Sequence, residues 1–136
     1  MYYDSHSTTD VTIIVKQLTG GEAFVISISS DVIRGYNDTF ILYLLLDGPS
    51  YGYEISKKIR ERSEGKYMIK ETTLYSAFTR MEKNGYIESF SQNAENGKRR
   101  TYYQITEAGL QYYREKQEEW TLTKDVVERF MRRITE

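Results

Sequence analysis

The chain has 136 residues, of which 39% are hydrophobic and 29% charged, as is typical of one globular domain with its own core. It contains no cysteine and a single histidine, His6, so disulfides and thiolate metal sites are excluded and a histidine-based catalytic triad is disfavoured. No apolar run approaches the roughly 20 residues that span a bilayer, and no nucleophile–base pair or phosphate loop is recognisable. We therefore expect a cytoplasmic protein that is not an enzyme and needs no cofactor or metal.

The net charge of −1 is distributed unevenly along the chain. Residues 51–104 carry 11 basic and 7 acidic side chains, whereas residues 1–50 and 105–136 are both net acidic. A basic segment of this kind is the electrostatic pattern expected of a surface that binds nucleic acid.

Residues 1–28 form a leader ahead of the predicted domain. Two runs rich in β-branched residues, Val11 to Val15 and Ala23 to Ile28, flank a Gly20-Gly21 pair, which is typical of a β-hairpin. A lone hairpin is marginally stable in water, so it would need to lean on the rest of the protein. A mobile or non-native leader is the alternative, and we assign residues 1–28 no function.

Two helices are predicted next. The first has Ser30 as its N-cap, runs to about Asp47 and is ended by Gly48-Pro49. Its apolar residues cover more than one face, as expected of a helix that is buried on several sides. The second opens at Ser50 and ends near Ser63 to Gly65, and its cations alternate with glutamates as they also do on an ordinary solvated face.

The segment 71–85 predicts a short amphipathic helix that is ended by its closing Asn-Gly pair. Leu74, Phe78 and Met81 recur at helical spacing on one face. The opposite face carries hydroxyls and cations and no carboxylate before Glu82, which suits phosphate oxygens and base edges in a major groove. Taken alone, an ordinary solvated surface is the simpler interpretation of this face.

A basic β-hairpin follows. Residues 86–92 and 101–105 alternate as strands do, and Asn96-Gly97 between them is a strong turn dipeptide. The cations Lys98 to Arg100 lie beside the tip, where DNA phosphate is their natural partner and protection of a strand edge is the alternative. A helix-turn-helix followed by a basic hairpin predicts a winged-helix DNA-binding domain over residues 29–105.

The last segment, residues 106–136, is predicted to be a C-terminal dimerisation helix capped by Thr106. From Leu110 a heptad-like seam continues along about 28 residues, or roughly 42 Å of helix, which is more than a small winged helix can cover. A second copy of the chain is the economical partner, and packing within its own domain is the alternative. Val126 and Phe130 are expected to pack on the first helix. The predicted interface residues are Leu110, Tyr113, Trp120, Val127, Met131 and Ile134.

The predicted fold is mainly α, in the α+β class: a winged helix-turn-helix with a long C-terminal dimerisation helix. In this form the chain resembles the PadR family of bacterial transcriptional regulators from about Ser29 to its C-terminus. The order and spacing of the motifs are highly specific, and the single C-terminal helix resembles that of the smaller subgroup. The motifs are Asp31–Gly35, Ile41–Leu46, Tyr51–Ile55, Thr73–Ile87, Gly97–Tyr103 and Ile105–Gly109.

The resemblance implies a homodimeric repressor that binds double-stranded operator DNA and dissociates when a small-molecule effector binds. In multidrug-responsive relatives, a tryptophan in the same part of the last helix lines a pore in which planar aromatic molecules stack. Trp120 is therefore the predicted effector-binding residue, and a large knob in the dimer core is the alternative role. The alternative function is a winged-helix module that binds an acidic protein. The residues implied to contact DNA are Tyr51, Thr72, Thr73, Tyr75, Ser76, Arg80, Lys98, Arg99 and Arg100.

Overall fold

The computed structural model describes residues 13–17 and 23–134. No helix within these ranges is long and apolar enough to cross a membrane. The mainly α, α+β architecture is confirmed. The elements are β1 (Ile13–Gln17), β2 (Ala23–Ser27), α1 (Ser30–Ile33), α2 (Asn37–Leu45), β3 (Ser50–Tyr51), α3 (Gly52–Arg62), α4 (Glu71–Lys83), β4 (Ile87–Asn93), β5 (Arg99–Ile105) and α5 (Glu107–Glu128).

The predicted leader hairpin is present as β1 and β2, which pair antiparallel from Ile13 opposite Ser27 to Gln17 opposite Ala23. Val11 and the predicted turn residues lie outside the described residues.

The prediction of one helix from Ser30 to Asp47 is wrong. The structure has two helices, α1 and α2, with a turn at residues 34–36 between them, and the N-cap is Ser29, whose Oγ accepts from the Val32 N–H at 3.3 Å. Glycine in a helix interior costs about 1 kcal/mol relative to alanine, so Gly35 favours the break. The new helix starts at Asn37, which is buried and whose Oδ1 accepts a 2.6 Å hydrogen bond from the Tyr67 hydroxyl.

The second helix begins at Gly52 rather than at Ser50. Ser50 and Tyr51 are held instead as strand β3, which pairs with Tyr103 and Tyr102 of β5, so the sheet order is β3-β5-β4. This pairing with a strand some 50 residues later in the chain carries no local sequence signal. It attaches the hairpin directly to the start of α3.

The helix α4 lies where the sequence predicts it, and its apolar stripe of Leu74, Phe78 and Met81 is buried. Gly85 adopts a φ of 81°, the left-handed conformation that ends a helix, and the Tyr86 N–H donates to the Met81 carbonyl at 2.9 Å. The stripe packs among α2, α3 and the sheet. The largest fully buried side chains are Phe78, Ile41, Leu42, Leu45, Ile55, Leu74, Met81 and Ile87.

The last helix is correctly predicted to begin after Thr106, whose Oγ1 accepts from the Gly109 N–H at 3.0 Å. It has 22 residues and ends at Glu128, so it is shorter than predicted. Val126 is 45% exposed and Phe130, beyond the helix end, is 83% exposed, so within one chain they do not make the predicted packing on the first helix. The contacts with the core come from the first half of α5, where Tyr112 stacks on Tyr86 with centroids 4.2 Å apart.

Candidate nucleic-acid interface

The outward face of α4 forms an open groove whose lining contains hydroxyls and cations and no carboxylate. Thr79 Oγ1 donates to the Tyr75 carbonyl at 3.1 Å, which leaves the oxygen free to accept from a ligand. Four of the residues that the family resemblance implies as DNA contacts lie together in this groove. Thr79 and Lys83, which the resemblance does not include, also line it. The lining residues are Thr72, Tyr75, Ser76, Thr79, Arg80 and Lys83.

Tyr75 of α4 lies against Gly52, the first residue of α3. A Cβ atom added to Gly52 would lie 2.3 Å from the Tyr75 hydroxyl oxygen, so only glycine permits this approach. The Tyr75 ring meets Phe78 edge-on with centroids 5.5 Å apart, and the residue remains 46% exposed. Part of the Tyr75 side chain therefore packs between α3 and α4, and the rest is exposed.

Arg80 is held by an ion pair with Asp38, which lies in the first turn of α2. The Arg80 side chain is 52% exposed and the Asp38 side chain 15% exposed, so the carboxylate lies beneath the guanidinium. A guanidinium has five N–H donors, and an ion pair with one carboxylate leaves others for a second acceptor. The geometry thus orients Arg80 without using all of its binding capacity.

A polar concavity of about 250 Å³ lies between the α1–α2 turn and α4. Thr73, which is half-buried, lines this concavity and not the open groove, so the structure separates it from Tyr75 and Lys83. We call this concavity the α1–α4 notch. Its polar lining residues are Arg34, Asn37, Thr72, Thr73, Ser76 and Arg80.

Arg34, Asn37 and Asp38 are site residues that sequence reasoning missed, because the region was treated as one buried helix. The signal was present: Gly35 followed by Asn37 and Asp38 is typical of a helix that starts anew. The break at Gly35 places these three polar side chains beside α4.

Asp38 also faces α5. Burial, followed by the Asp38 carboxylate, raises the pKa of Tyr112. The hydrogen bond from Lys116 Nζ to Glu119 Oε1, 2.9 Å long, raises the pKa of Lys116, and Asp38 adds to that shift. The first turn of α2 is therefore electrostatically linked to both α4 and α5.

The three cations of the hairpin differ in their surroundings. Lys98 and Arg99 are exposed near the tip, where the Lys98 N–H donates to Asn96 Oδ1 at 3.0 Å. The guanidinium of Arg100 lies over the Tyr51 ring, 4.2 Å from its centroid, and Tyr51 in turn meets Tyr102 at 5.3 Å. Within the described part of the chain, no carboxylate forms an ion pair with any of the three cations.

The predicted seam on α5 divides into two parts. Leu110 and Tyr113 are half-buried, and Tyr113 packs against the core of its own domain. Trp120 meets Tyr36 edge-on with centroids 5.6 Å apart and is 49% exposed. Exposure continues beyond Trp120 to the end of the described chain. The exposed large apolar residues there are Leu122, Val126, Val127, Phe130, Met131 and Ile134.

The model of the PadR-like transcriptional regulator family matches residues 41–115, more than half of the chain and a span that contains α3, α4 and both long strands. This chain belongs to the PadR-like family of transcriptional regulators. The winged-helix architecture predicted for it is that of its solved PadR-family neighbours.

Two solved structures illustrate the relationship. A transcriptional regulator from Clostridium thermocellum is 62% identical with a TM-score of 0.72, and the alignment covers 76% of this chain and all of that one. A PadR family transcription regulator from Clostridium difficile is 39% identical with a TM-score of 0.63, over 71% of this chain and 98% of that one. A protein of Lysinibacillus sphaericus is 42% identical over 104 residues, which are 76% of this chain and 95% of the relative.

Proposed function

We propose that this PadR-like regulator binds operator DNA as a homodimer and represses transcription, with α4 in the major groove. The observation that carries the proposal is the open groove along α4, where hydroxyls and cations line a surface that contains no carboxylate. A duplex presents phosphate oxygens and base-edge donors and acceptors, which are the complementary groups.

The residues fall into three proposed roles. Thr72, Thr73 and Ser76 present hydroxyls to base edges or phosphates, and Arg80 offers the donors that Asp38 leaves free. Lys98 and Arg99 contact the backbone from the β4–β5 hairpin, which acts as the wing. Tyr51, Tyr75 and Arg100 contact DNA with their exposed parts while they hold the wing and α4 in place.

Dimerisation is proposed through α5. Its exposed apolar side chains from Trp120 onward need a partner, and a second copy of the chain supplies the same surface by two-fold symmetry. If the two α4 helices enter successive major grooves, the half-sites lie roughly 34–36 Å apart. The protein then acts in the bacterial cytoplasm, where its DNA lies, and has no enzymatic role.

Release by a planar aromatic effector is proposed at Trp120. Two indoles facing each other across a two-fold axis would offer a stacking slot. Trp120 contacts Tyr36, the residue immediately before α2, so a ligand that moves the indole also acts on the helix that holds Arg80.

Because Trp120 is the single tryptophan, its fluorescence reports on this site alone. We expect flat cationic aromatic molecules to quench it in a saturable way. A diverse panel that leaves the fluorescence unchanged would remove the effector site and leave Trp120 as a packing residue of the dimer.

A gel-shift experiment tests DNA binding directly. We expect a shift with the DNA upstream of the protein's own gene at physiological salt, and none with unrelated DNA of equal length. The glutamates interleaved on α3, such as Glu54 and Glu61, leave room for an acidic protein partner, and absence of any specific shift would favour that function.

A further inference from the structure

We propose that the α1–α4 notch binds one phosphate of the DNA backbone, through Arg34, Asn37 and Arg80. The inference rests on the proposed DNA-binding function and extends the interface from α4 to the turn between α1 and α2. It assigns a role to Arg34 and Asn37 in recognising a phosphodiester.

The chemistry of the notch suits an anion. Two guanidiniums, three hydroxyls and one side-chain amide surround a space of about 250 Å³, and no carboxylate lines it. Guanidiniums recognise phosphate oxygens with directed pairs of N–H donors, and hydroxyls can rotate to donate to the remaining oxygens. A basic, hydroxyl-lined concavity that opens beside α4 is placed to receive the backbone flanking the groove that α4 reads.

Asn37 provides an independent indication of a ligand. It is only 3% exposed, and its Oδ1 already accepts the hydrogen bond from the Tyr67 hydroxyl at 2.6 Å. Among the described residues, none accepts a hydrogen bond from the Asn37 Nδ2 group. A buried donor without an acceptor is costly, and a phosphate oxygen in the notch that Asn37 lines would satisfy it.

The two arginines are prepared differently for this contact. Arg80 is already oriented by Asp38. Arg34 is 71% exposed and pairs at 3.2 Å with Asp31, which is itself 89% exposed. Exposed ion pairs of this kind contribute little to stability, so a phosphate can replace Asp31 as the partner of Arg34.

The test compares Arg34→Gln with a matched control, Arg129→Gln. Arg129 is equally exposed, at 71%, and pairs with a carboxylate one turn away, that of Asp125, but it lies at the end of α5. Binding of full-length protein to a duplex from its own upstream region is measured by anisotropy over a range of salt concentrations. Arg34→Gln should lower the magnitude of the log–log salt slope by up to about 0.9 per chain, the value for one phosphate contact, because Arg80 remains in the notch. Arg129→Gln should leave the slope at the wild-type value.

Equal slopes for the two variants would overturn the inference while leaving the proposed function intact. Failure of the wild-type protein to bind the duplex would instead contradict the proposed function.

A second measurement identifies the phosphate itself. Single phosphates of the duplex are replaced by neutral methylphosphonates, one position at a time. At one backbone position per half-site, replacement should weaken binding by the wild type and by Arg129→Gln more than binding by Arg34→Gln, which keeps Arg80 and Asn37. If every position affects the three proteins alike, the notch does not hold a phosphate.

Discussion

At the scale of single residues, the side chains proposed to contact DNA are held in position by neighbouring residues. Asp38 holds Arg80, Gly52 leaves room for Tyr75, and Tyr51 supports Arg100. An arginine side chain loses considerable rotamer freedom on binding, and a contact that fixes it beforehand reduces that loss. Each supporting residue can therefore be tested through the residue that it supports.

Replacing Asp38 by Asn should weaken DNA binding about two- to fivefold, because an ion pair of this kind contributes up to about 1 kcal/mol. The control is Asp47→Asn, which removes the same charge from an exposed position. If only net charge mattered, both variants would bind DNA more tightly. The weakening should disappear in an Arg80→Gln background, and additive effects in the double variant would contradict a positioning role.

The buried phenol of Tyr103 predicts a loss of stability at high pH. Burial, followed by Glu82, raises the pKa of Tyr103 above its usual 10.0, so the folded state retains a proton that the unfolded state releases. This contribution is present in full below about pH 10 and is lost as the pH rises further. In urea denaturation, the free energy of unfolding of the wild type should fall above about pH 10. The fall should be less steep in Tyr103→Phe and as steep as in the wild type in Tyr53→Phe, because Tyr53 is 71% exposed. Identical pH profiles for both variants would contradict the assignment of this loss of stability to Tyr103.

Local patterns in the sequence predict single residues well where the interaction is itself local. The Thr106 cap and the buried stripe of Leu74, Phe78 and Met81 are examples. The pair between Arg80 and Asp38 joins residues 42 positions apart, and nothing in the spacing of either signals the other. The outward hydroxyls of α4 could thus be predicted, whereas the residue that orients Arg80 could not.

At the scale of elements, the wing is joined to the helix-turn-helix by the β3–β5 pairing and by the stacking of Arg100 on Tyr51. The position of the cationic tip therefore follows the start of α3. The sequence predicts the wing strands from their alternation and turn, but strand β3, with two residues, is too short to show any alternation.

This arrangement separates the effects of two neighbouring arginines. Arg99→Ala should flatten the salt dependence of DNA binding and leave the free energy of unfolding unchanged, because Arg99 is exposed. Arg100→Ala should also lower the free energy of unfolding by about 0.5–1 kcal/mol, through loss of its contact with the Tyr51 ring. Urea denaturation and anisotropy measure the two quantities, with Arg132→Ala as the exposed control. A salt slope unchanged in both wing variants would contradict the proposed contact between the wing and DNA.

The last helix shows where periodicity misleads. The seam continues by threes and fours to Ile134, yet α5 ends at Glu128. Helices in water depend on tertiary packing of an apolar face, and the residues after Trp120 have little within one chain. The spacing predicts which residues form the apolar stripe, but it does not predict where the helix ends in a single chain.

At the scale of the whole molecule, dimerisation is what would duplicate α4 at a fixed spacing. We expect Val127→Glu to shift the sedimentation equilibrium of the protein from dimer to monomer, because it places a charge within the exposed apolar surface of α5. Tyr53→Glu, a matched charge on an exposed residue of α3, should remain dimeric. A monomeric wild type, or a dimer unaffected by Val127→Glu, would contradict dimerisation through α5.

The central claim is that α4 sets which sequence is read, while the wing supplies affinity for any duplex. The direct test is the ratio of affinities for operator and unrelated DNA in two double variants, Thr72→Ala/Ser76→Ala on α4 and Lys98→Ala/Arg99→Ala on the wing. The α4 variant should lose about tenfold of that ratio, since each hydrogen bond contributes about 0.5–1.5 kcal/mol, and should lose less of its affinity for unrelated DNA. The wing variant should bind both duplexes more weakly at an unchanged ratio. An α4 variant that keeps the wild-type ratio would contradict the claim.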